Sequence, residues 1–427
     1  MSRRGHDGLM QVQVNGARLR ADVEENATFG AVDVDEGRGR TVLTGSEAER
    51  RAREHLVERM EDVGLDVRVD AVGNVAGRWV PEGVDPETPA VAAGSHLDSV
   101  PHGGIFDGPL GVYAALEAVR SIREADVEVR RPVEVVSFTE EEGARFEYGL
   151  LGSSVAAGEL PESEALELTD DEGLTLRERL EAIGFHGDDR IDPAEWDAWL
   201  EIHIEQATEL ERADVPVGIV TAITGITNCR VEFRGAADHA GGTRMDERTD
   251  ALVAASGFIE DVERIGREFA ATEGGFAVAT VGSLSVGPGA RNVVPGRVTH
   301  TIDVRDVDDN VMDGVVADAR KSLARIERER CGIEASLERY RTVDPTPMSD
   351  RCREALSAAA ERRGIDAIDL PSGGGHDTMR VADHADTGMI FVRSRDGISH
   401  SPDEWSDWDD CAAAADVLAN ALLGLAT

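Results

Sequence analysis

Lysine is almost absent from the chain. Lys321 stands alone among 44 basic residues, which face 84 acidic ones for a net charge of −40. A surface so negative repels nucleic acid and anionic membranes, so neither is expected as a partner. Long apolar runs are missing too: none approaches the ~20 residues that cross a bilayer. Residues 1–10 carry Arg3 and Arg4 without the apolar stretch that a secretory or twin-arginine signal needs, and the cytoplasm is the expected location. Cysteine is scarce and scattered. Cys229, Cys331, Cys352 and Cys411 form no CxxC pair, a pattern that suits isolated thiols in a reducing compartment better than a disulfide framework or a thiolate metal site.

What is present is organised around residues 94–111, GSHLDSVPHGGIFDGPLG. The apolar run 90–93 before it reads as a buried strand, and the spacing of 112–120 after it predicts a helix. The stretch is therefore expected to be a strand-to-helix loop, and in a doubly wound α/β sheet such loops hold the ligand. His96 and Asp98 flank Leu97, so a carboxylate can orient a metal-binding imidazole. Asp107 precedes Gly108, where the backbone can come close to an ion. The competing reading is a solvated turn, since Asp and Gly are favoured there for local backbone reasons.

At 427 residues the chain exceeds an ordinary single core, and two domains are expected. Helices are predicted over 17–27 and 45–63, the latter capped by Ser46 and carrying His55 on its surface; strands are predicted over 66–70 and 75–80. The β-branched strand 132–139 runs into Glu140, Glu141 and Glu142, which repel one another unless a cation or proton intervenes. Residues 150–157 and 174–183 read as helices. Residues 199–206, WLEIHIEQ, alternate so that Glu201, His203 and Glu205 share one strand face. From about Val215 the order becomes strand 224–234, helix 246–267, strands 276–286 and 297–305, helix 309–329 and strand 332–341. That is the split β-α-β-β-α-β unit. Residues 215–342 are accordingly read as a domain inserted between 1–214 and 343–427. Helix 349–363, a glycine-rich loop 372–377, strand 387–392, a loop 394–401 with His400, and helix 409–423 complete the chain.

Three strand ends thus carry ligand-type residues: His96 with Asp107, Glu142 with its neighbours, and His203, with His400 added from the C-terminal part. Imidazoles mixed with carboxylates suit two borderline divalent ions better than Mg²⁺ or Ca²⁺, which prefer oxygen shells. Zinc leads, with manganese, cobalt or nickel open.

The segments GSHLDSV (94–100), GGIFDGPLGV (103–112), EEEGARF (140–146), HIEQ (203–206), ADHAG (237–241), RNVVPG (291–296), GGGHD (373–377) and GISHSPDE (397–404) together resemble the amidase/hydantoinase/carbamoylase branch of the M20 metallopeptidase family, over nearly the whole chain. The resemblance implies a Zn-peptidase-like α/β catalytic domain with an inserted ferredoxin-like α+β lid and dimerisation domain. It implies His96, Asp107 and His203 on one metal, Asp107, Glu142 and His400 on the other, Asp98 orienting His96, and Glu141 as general base. Gln206, His239 and Asn292 are implied as substrate contacts, with His239 reaching across a homodimer; His376, in the glycine-rich loop, is read as structural or as supporting the ligands from behind. Arg305 can hold a substrate carboxylate in a bidentate fork. One departure is visible: after ADHAG the family usually continues Thr-Thr-Pro-Met, whereas Gly242, Thr243, Arg244 and Met245 follow here, a change read mainly as a replaced turn device.

The implied activity is a binuclear metal-dependent amidohydrolase that cleaves the ureido C–N bond of N-carbamoyl-L-amino acids, on a small ureido substrate bearing a carboxylate. The alternatives are allantoate or ureidoglycolate hydrolysis and, from another class, a non-catalytic metal-loaded dimeric binding module. The acidity, spread along the chain rather than collected into a tail, and the lack of lysine also resemble cytoplasmic proteins of haloarchaea, where internal salt screens the repulsion.

Overall fold

The structure, a computed structural model, describes residues 11–272 and 275–427. One unit comprises the described residues up to Thr221 together with Met348–Thr427, and the other is Ala222–Pro347. In the first unit, strands β1 (Asp66–Val69), β2 (Val75–Trp79), β3 (Ala90–His96), β4 (Val133–Phe138), β5 (Trp196–Ile204), β6 (Val217–Ile223), β7 (Ala367–Ser372) and β8 (Asp386–Val392) form one mixed sheet. Its path runs β6-β8-β5-β3-β4-β2-β1, with β7 beside β6. The four inner strands β8, β5, β3 and β4 are parallel, and the flanking pairs are antiparallel.

Strand β3 is buried at every position, as a central parallel strand must be. It continues past the apolar run to His96, so the expected loop starts only after that histidine. The reason is that the backbone ladder to β4 and β5 is indifferent to side-chain polarity. Gly94 is required within it, because a Cβ there would lie 1.9 Å from the Val136 carbonyl oxygen.

Helix α1 spans Gly16–Asn26 and α2 spans Glu47–Val63, where Ser46 accepts from the Glu49 amide as expected. His55 is a correction: its ring is half-buried, 5.7 Å from that of Phe29 and 6.0 Å from that of Tyr113. Helix α3 (Pro109–Glu124) is longer than its apolar spacing suggested, since Gly108 at φ 80° turns the chain and Pro109 opens the first turn without needing an N–H. It is buried from Pro109 to Ile122 and packs on the sheet, α1 and the C-terminal helix Trp408–Ala426. Apolar side chains fill both sheet faces: Val91, Ala93, Leu200 and Ile202 on the α3 side, Ala90, Ala92, Val136 and Trp199 on the other.

The second unit has strands Gly225–Arg234, Val278–Gly287, Arg297–Asp306 and Glu334–Val343 with helices Ala251–Ala270 and Asp309–Glu329. Its antiparallel sheet places Arg297–Asp306 and Gly225–Arg234 in the middle, and Val231, Phe233, Phe258, Val262, Ile302 and Leu323 build a core of its own. The helix expected from 246 begins at Ala251, because the Asp250 side chain accepts from the Leu252 and Val253 amides and ends the preceding turn. The unit starts later than the 215 read from the sequence. Val217–Ile219 pair with β8 and so belong to the larger sheet. Among the described residues, no helix is long and apolar enough to cross a membrane.

Candidate metal centre

Parallel register aligns the carboxyl ends of β8, β5, β3 and β4 along one edge of the sheet, where loop residues converge. His96 ends β3 opposite Phe138, beyond which the chain enters Glu140–Glu142. His203 lies near the end of β5 opposite Phe391 of β8, and the chain beyond β8 brings in His400. Two groups of possible ligand atoms result, His96 with Asp107 and His203, and Asp107 with Glu142 and His400; within each, all atoms lie within 4.8 Å of one another. Asp107 serves both through different oxygens. Its Oδ1 is 2.9 Å from His203 Nε2 and 3.6 Å from His96 Nε2, while its Oδ2 is 3.5 Å from His400 Nε2. Glu142 Oε2 lies 3.3 Å from His400 Nε2.

The histidines are aimed by carbonyls. His96 Nδ1 is 3.2 Å from the Asp98 carbonyl oxygen and His203 Nδ1 is 3.0 Å from that of Ile204. A carbonyl only accepts, so each Nδ1 carries a proton, and the neutral ring presents its Nε2 lone pair to the centre. The Asp98 carboxylate lies 3.5 Å from the same His96 nitrogen, but its firmer contacts are the amides of Glu141 and Glu142, at 3.2 and 3.1 Å. Asp98 therefore holds the glutamate loop as well as the ring. Gly108 leaves room for His96, since a Cβ there would meet the imidazole at 2.5 Å. His376, buried and hydrogen-bonded through Nε2 to Ser372 at 2.9 Å, packs T-shaped against His203 with ring centroids 4.5 Å apart.

Charge accumulates at this edge. Burial, followed by the neighbouring Asp107, pushes Glu142 up to about 8, and burial with the nearby Asp377, Glu142 and Asp98 carries Glu141 well above the usual carboxylate range despite His96. Burial works against charging His96, yet Glu141, Asp107 and Asp98 hold it well above its ordinary value. Asp107 is the reverse case: burial opposes its ionisation, and His203 and His96 keep it well below. His96 Nε2 and Glu142 Oε1 are buried without a hydrogen-bond partner. Orphaned lone pairs beside crowded carboxylates fit a cation, and the mixed imidazole and carboxylate donors fit a borderline divalent one. Glu141 belongs to neither ligand group, and its Oε2 stands 3.7 Å from His96 Nε2.

Gln206, at φ 57°, donates its amide to Asp107 Oδ2 at 3.1 Å and to Ser399 at 3.2 Å, so it lies against the ligand set. The other expected substrate contacts lie in the second unit. His239 is exposed on the short strand Asp238–His239, which pairs with Val293–Val294 and brings Asn292 to the same corner. Its Nδ1 accepts from the Gly241 and Gly242 amides at 3.0 and 2.9 Å, leaving Nε2 as the outward nitrogen. Arg244, the departure from the family pattern, pairs with Asp246 at 3.1 Å on the surface. Arg305 donates through Nε to Asp303 at 2.9 Å. Sequence reasoning missed Ser399 and Glu404, which touch Asp107 from the GISHSPDE segment; their only sequence signal was membership of that segment.

Residues 92–424 match a profile described as Peptidase family M20/M25/M40. An N-carbamoyl-L-amino acid amidohydrolase from Geobacillus stearothermophilus is 41% identical over 97% of this chain and 99% of its own. A ureidoglycolate hydrolase from Oryza sativa subsp. japonica is 33% identical over 99% of this chain and 87% of its own. Among solved structures, an amidase of the hydantoinase/carbamoylase family from Burkholderia multivorans is 38% identical, covers 97% of this chain and 98% of its own, and superposes with a TM-score of 0.89.

Proposed function

The chain belongs to Peptidase family M20/M25/M40, and on that premise we propose that it hydrolyses the ureido C–N bond of N-carbamoyl-L-amino acids to amino acid, ammonia and carbon dioxide. The observation that carries the reading is the pair of ligand groups sharing Asp107, with Glu141 beside them and in neither. In this reading His96, Asp107 and His203 hold one divalent ion and Asp107, Glu142 and His400 the other. When bound there, two such ions would supply Lewis acidity to the scissile carbonyl and to the attacking water. Zinc is our first assignment, with manganese, cobalt or nickel next, from the donor chemistry.

Glu141 is the general base. Its carboxylate takes the proton from the attacking water and returns it to the leaving nitrogen as the C–N bond breaks. Asp98 keeps it in place by accepting its amide. Arg305 clamps the substrate carboxylate, and Gln206, Asn292 and His239 contact the ureido group. We assign His239 to the site of a partner in a homodimer, with residues 215–342 as the lid and dimerisation domain; its free Nε2 is what supports the contact. The unpaired, mostly buried cysteines support a reducing, cytoplasmic setting. The charge of −40 supports a salt-rich, haloarchaeal-type one.

The second reading is ureidoglycolate or allantoate hydrolysis, favoured by the near full-length similarity to the rice ureidoglycolate hydrolase. The deciding experiment measures ammonia release across a KCl series with Mn²⁺ or Zn²⁺ supplied, comparing N-carbamoyl-L-amino acids, allantoate and ureidoglycolate. Turnover of the first, rising with KCl, is expected. Preference for either other substrate transfers the assignment to it, activity greatest without salt removes the halophilic assignment, and full metal loading with no turnover makes the chain a binding module.

A further inference from the structure

Asp107 must place two oxygens toward two ligand groups at once. Besides the Gln206 amide, what holds it comes from the far end of the chain. Glu404 is almost fully buried, and its Oε1 accepts the amides of both Phe106 and Asp107, at 2.9 and 3.1 Å. Its Oε2 lies 3.3 Å from the Ser399 hydroxyl, and that same hydroxyl is 2.6 Å from Asp107 Oδ2. A serine has one proton to give, and the shorter contact assigns it to Asp107. Glu404 thus grips the backbone of Asp107, while Ser399 beside it grips the carboxylate.

The turn is shaped to admit this side chain. A Cβ on Gly104 would lie 2.1 Å from the Glu404 carboxyl carbon and from its Oε1, so the glycine leaves the space that Glu404 fills. Behind the turn, fully buried Arg40 donates to the carbonyls of Leu97 and Asp98 at 2.7 and 3.1 Å. Its charge faces Asp98, Glu404 and Asp107, which offsets the cost of burying carboxylates there.

We propose that Glu404, acting through the Phe106 and Asp107 amides, and Ser399, acting on Oδ2, are positioning residues that together set Asp107 for both metal positions. The inference rests on the metal-centre reading given above. It is tested by stripping the full-length protein with a chelator and titrating it with Co²⁺ alone, followed by the visible absorption of the bound ion, with circular dichroism to check folding. The wild type should take up two ions. Glu404→Ala should bind them about 10–100-fold more weakly with a shifted absorption band, and Glu404→Gln, whose amide oxygen can still accept both backbone N–H groups, should recover most of the loss. Ser399→Ala removes one hydroxyl from a segment that should still fold, and should cost about tenfold. A folded Glu404→Ala with wild-type Co²⁺ affinity and spectrum would overturn the proposal. If Glu404→Ala does not fold, Ser399→Ala decides in the same way. A wild type that binds no Co²⁺ removes the metal centre itself, and this inference with it.

Discussion

Three identical neighbours, Glu140, Glu141 and Glu142, have three different fates. Glu140 takes a left-handed backbone at φ 54° and turns inward, where one carboxylate oxygen accepts the amides of Arg145 and Phe146, both at 2.7 Å. Such a conformation costs a non-glycine residue on the order of 1–3 kcal/mol and persists only where surrounding contacts hold it. Its effect is to send Glu141 toward His96 and Glu142 toward His400. Replacing Glu141 by Gln keeps the size of the side chain and leaves both ligand groups untouched. Turnover should then fall about 10²–10⁴-fold while metal content by elemental analysis stays at the wild-type level. Wild-type turnover in this variant would remove Glu141 as the base.

At the scale of elements, the centre depends on how closely β3 and β4 approach. The sequence shows β3 as an apolar run and β4 as a β-branched one, but not that their backbones close on Gly94. Adding one methyl there, Gly94→Ala, forces the Val136 carbonyl away and disturbs the strand that ends in His96. The expected loss is about 1–3 kcal/mol, seen as a lower Tm, together with weaker metal binding. An unchanged Tm and metal affinity would mean that the two strands have slack at this position. Residues 217–221 show the opposite limit of sequence reading. The sequence reads a boundary near Val215, but the pairing of Val217–Ile219 with β8 draws this strand into the larger sheet.

For the whole molecule, each unit has its own apolar core, and most of the charge of −40 lies on the first unit. The proposed homodimer contact of His239 is a statement at this scale. Glu141→Gln and His239→Ala proteins, each inactive alone, should regain activity when unfolded and refolded together. With random pairing and one working site per mixed dimer, about a quarter of wild-type activity is expected, since closed two-fold dimers exchange equivalent contacts. No recovery, with mixed dimers verified by mass, would put His239 in its own subunit's site or outside the site altogether.

The sequence by itself determined the alternating pattern of strands and helices, the split β-α-β-β-α-β order of the second unit, and the residue types at the strand ends from which a metal centre can be built. Those are local properties, set by side-chain periodicity and turn chemistry. Only the tertiary structure decided that β3 runs on to His96, that a carbonyl is the closest contact of Nδ1 on both His96 and His203, and that Glu404 reaches back to Phe106 and Asp107. The first and last of these rest on backbone groups meeting partners distant in sequence, and the second on which nearby acceptor a ring nitrogen finds. Backbone groups are the same in every residue, so nothing in the sequence marks which ones will meet.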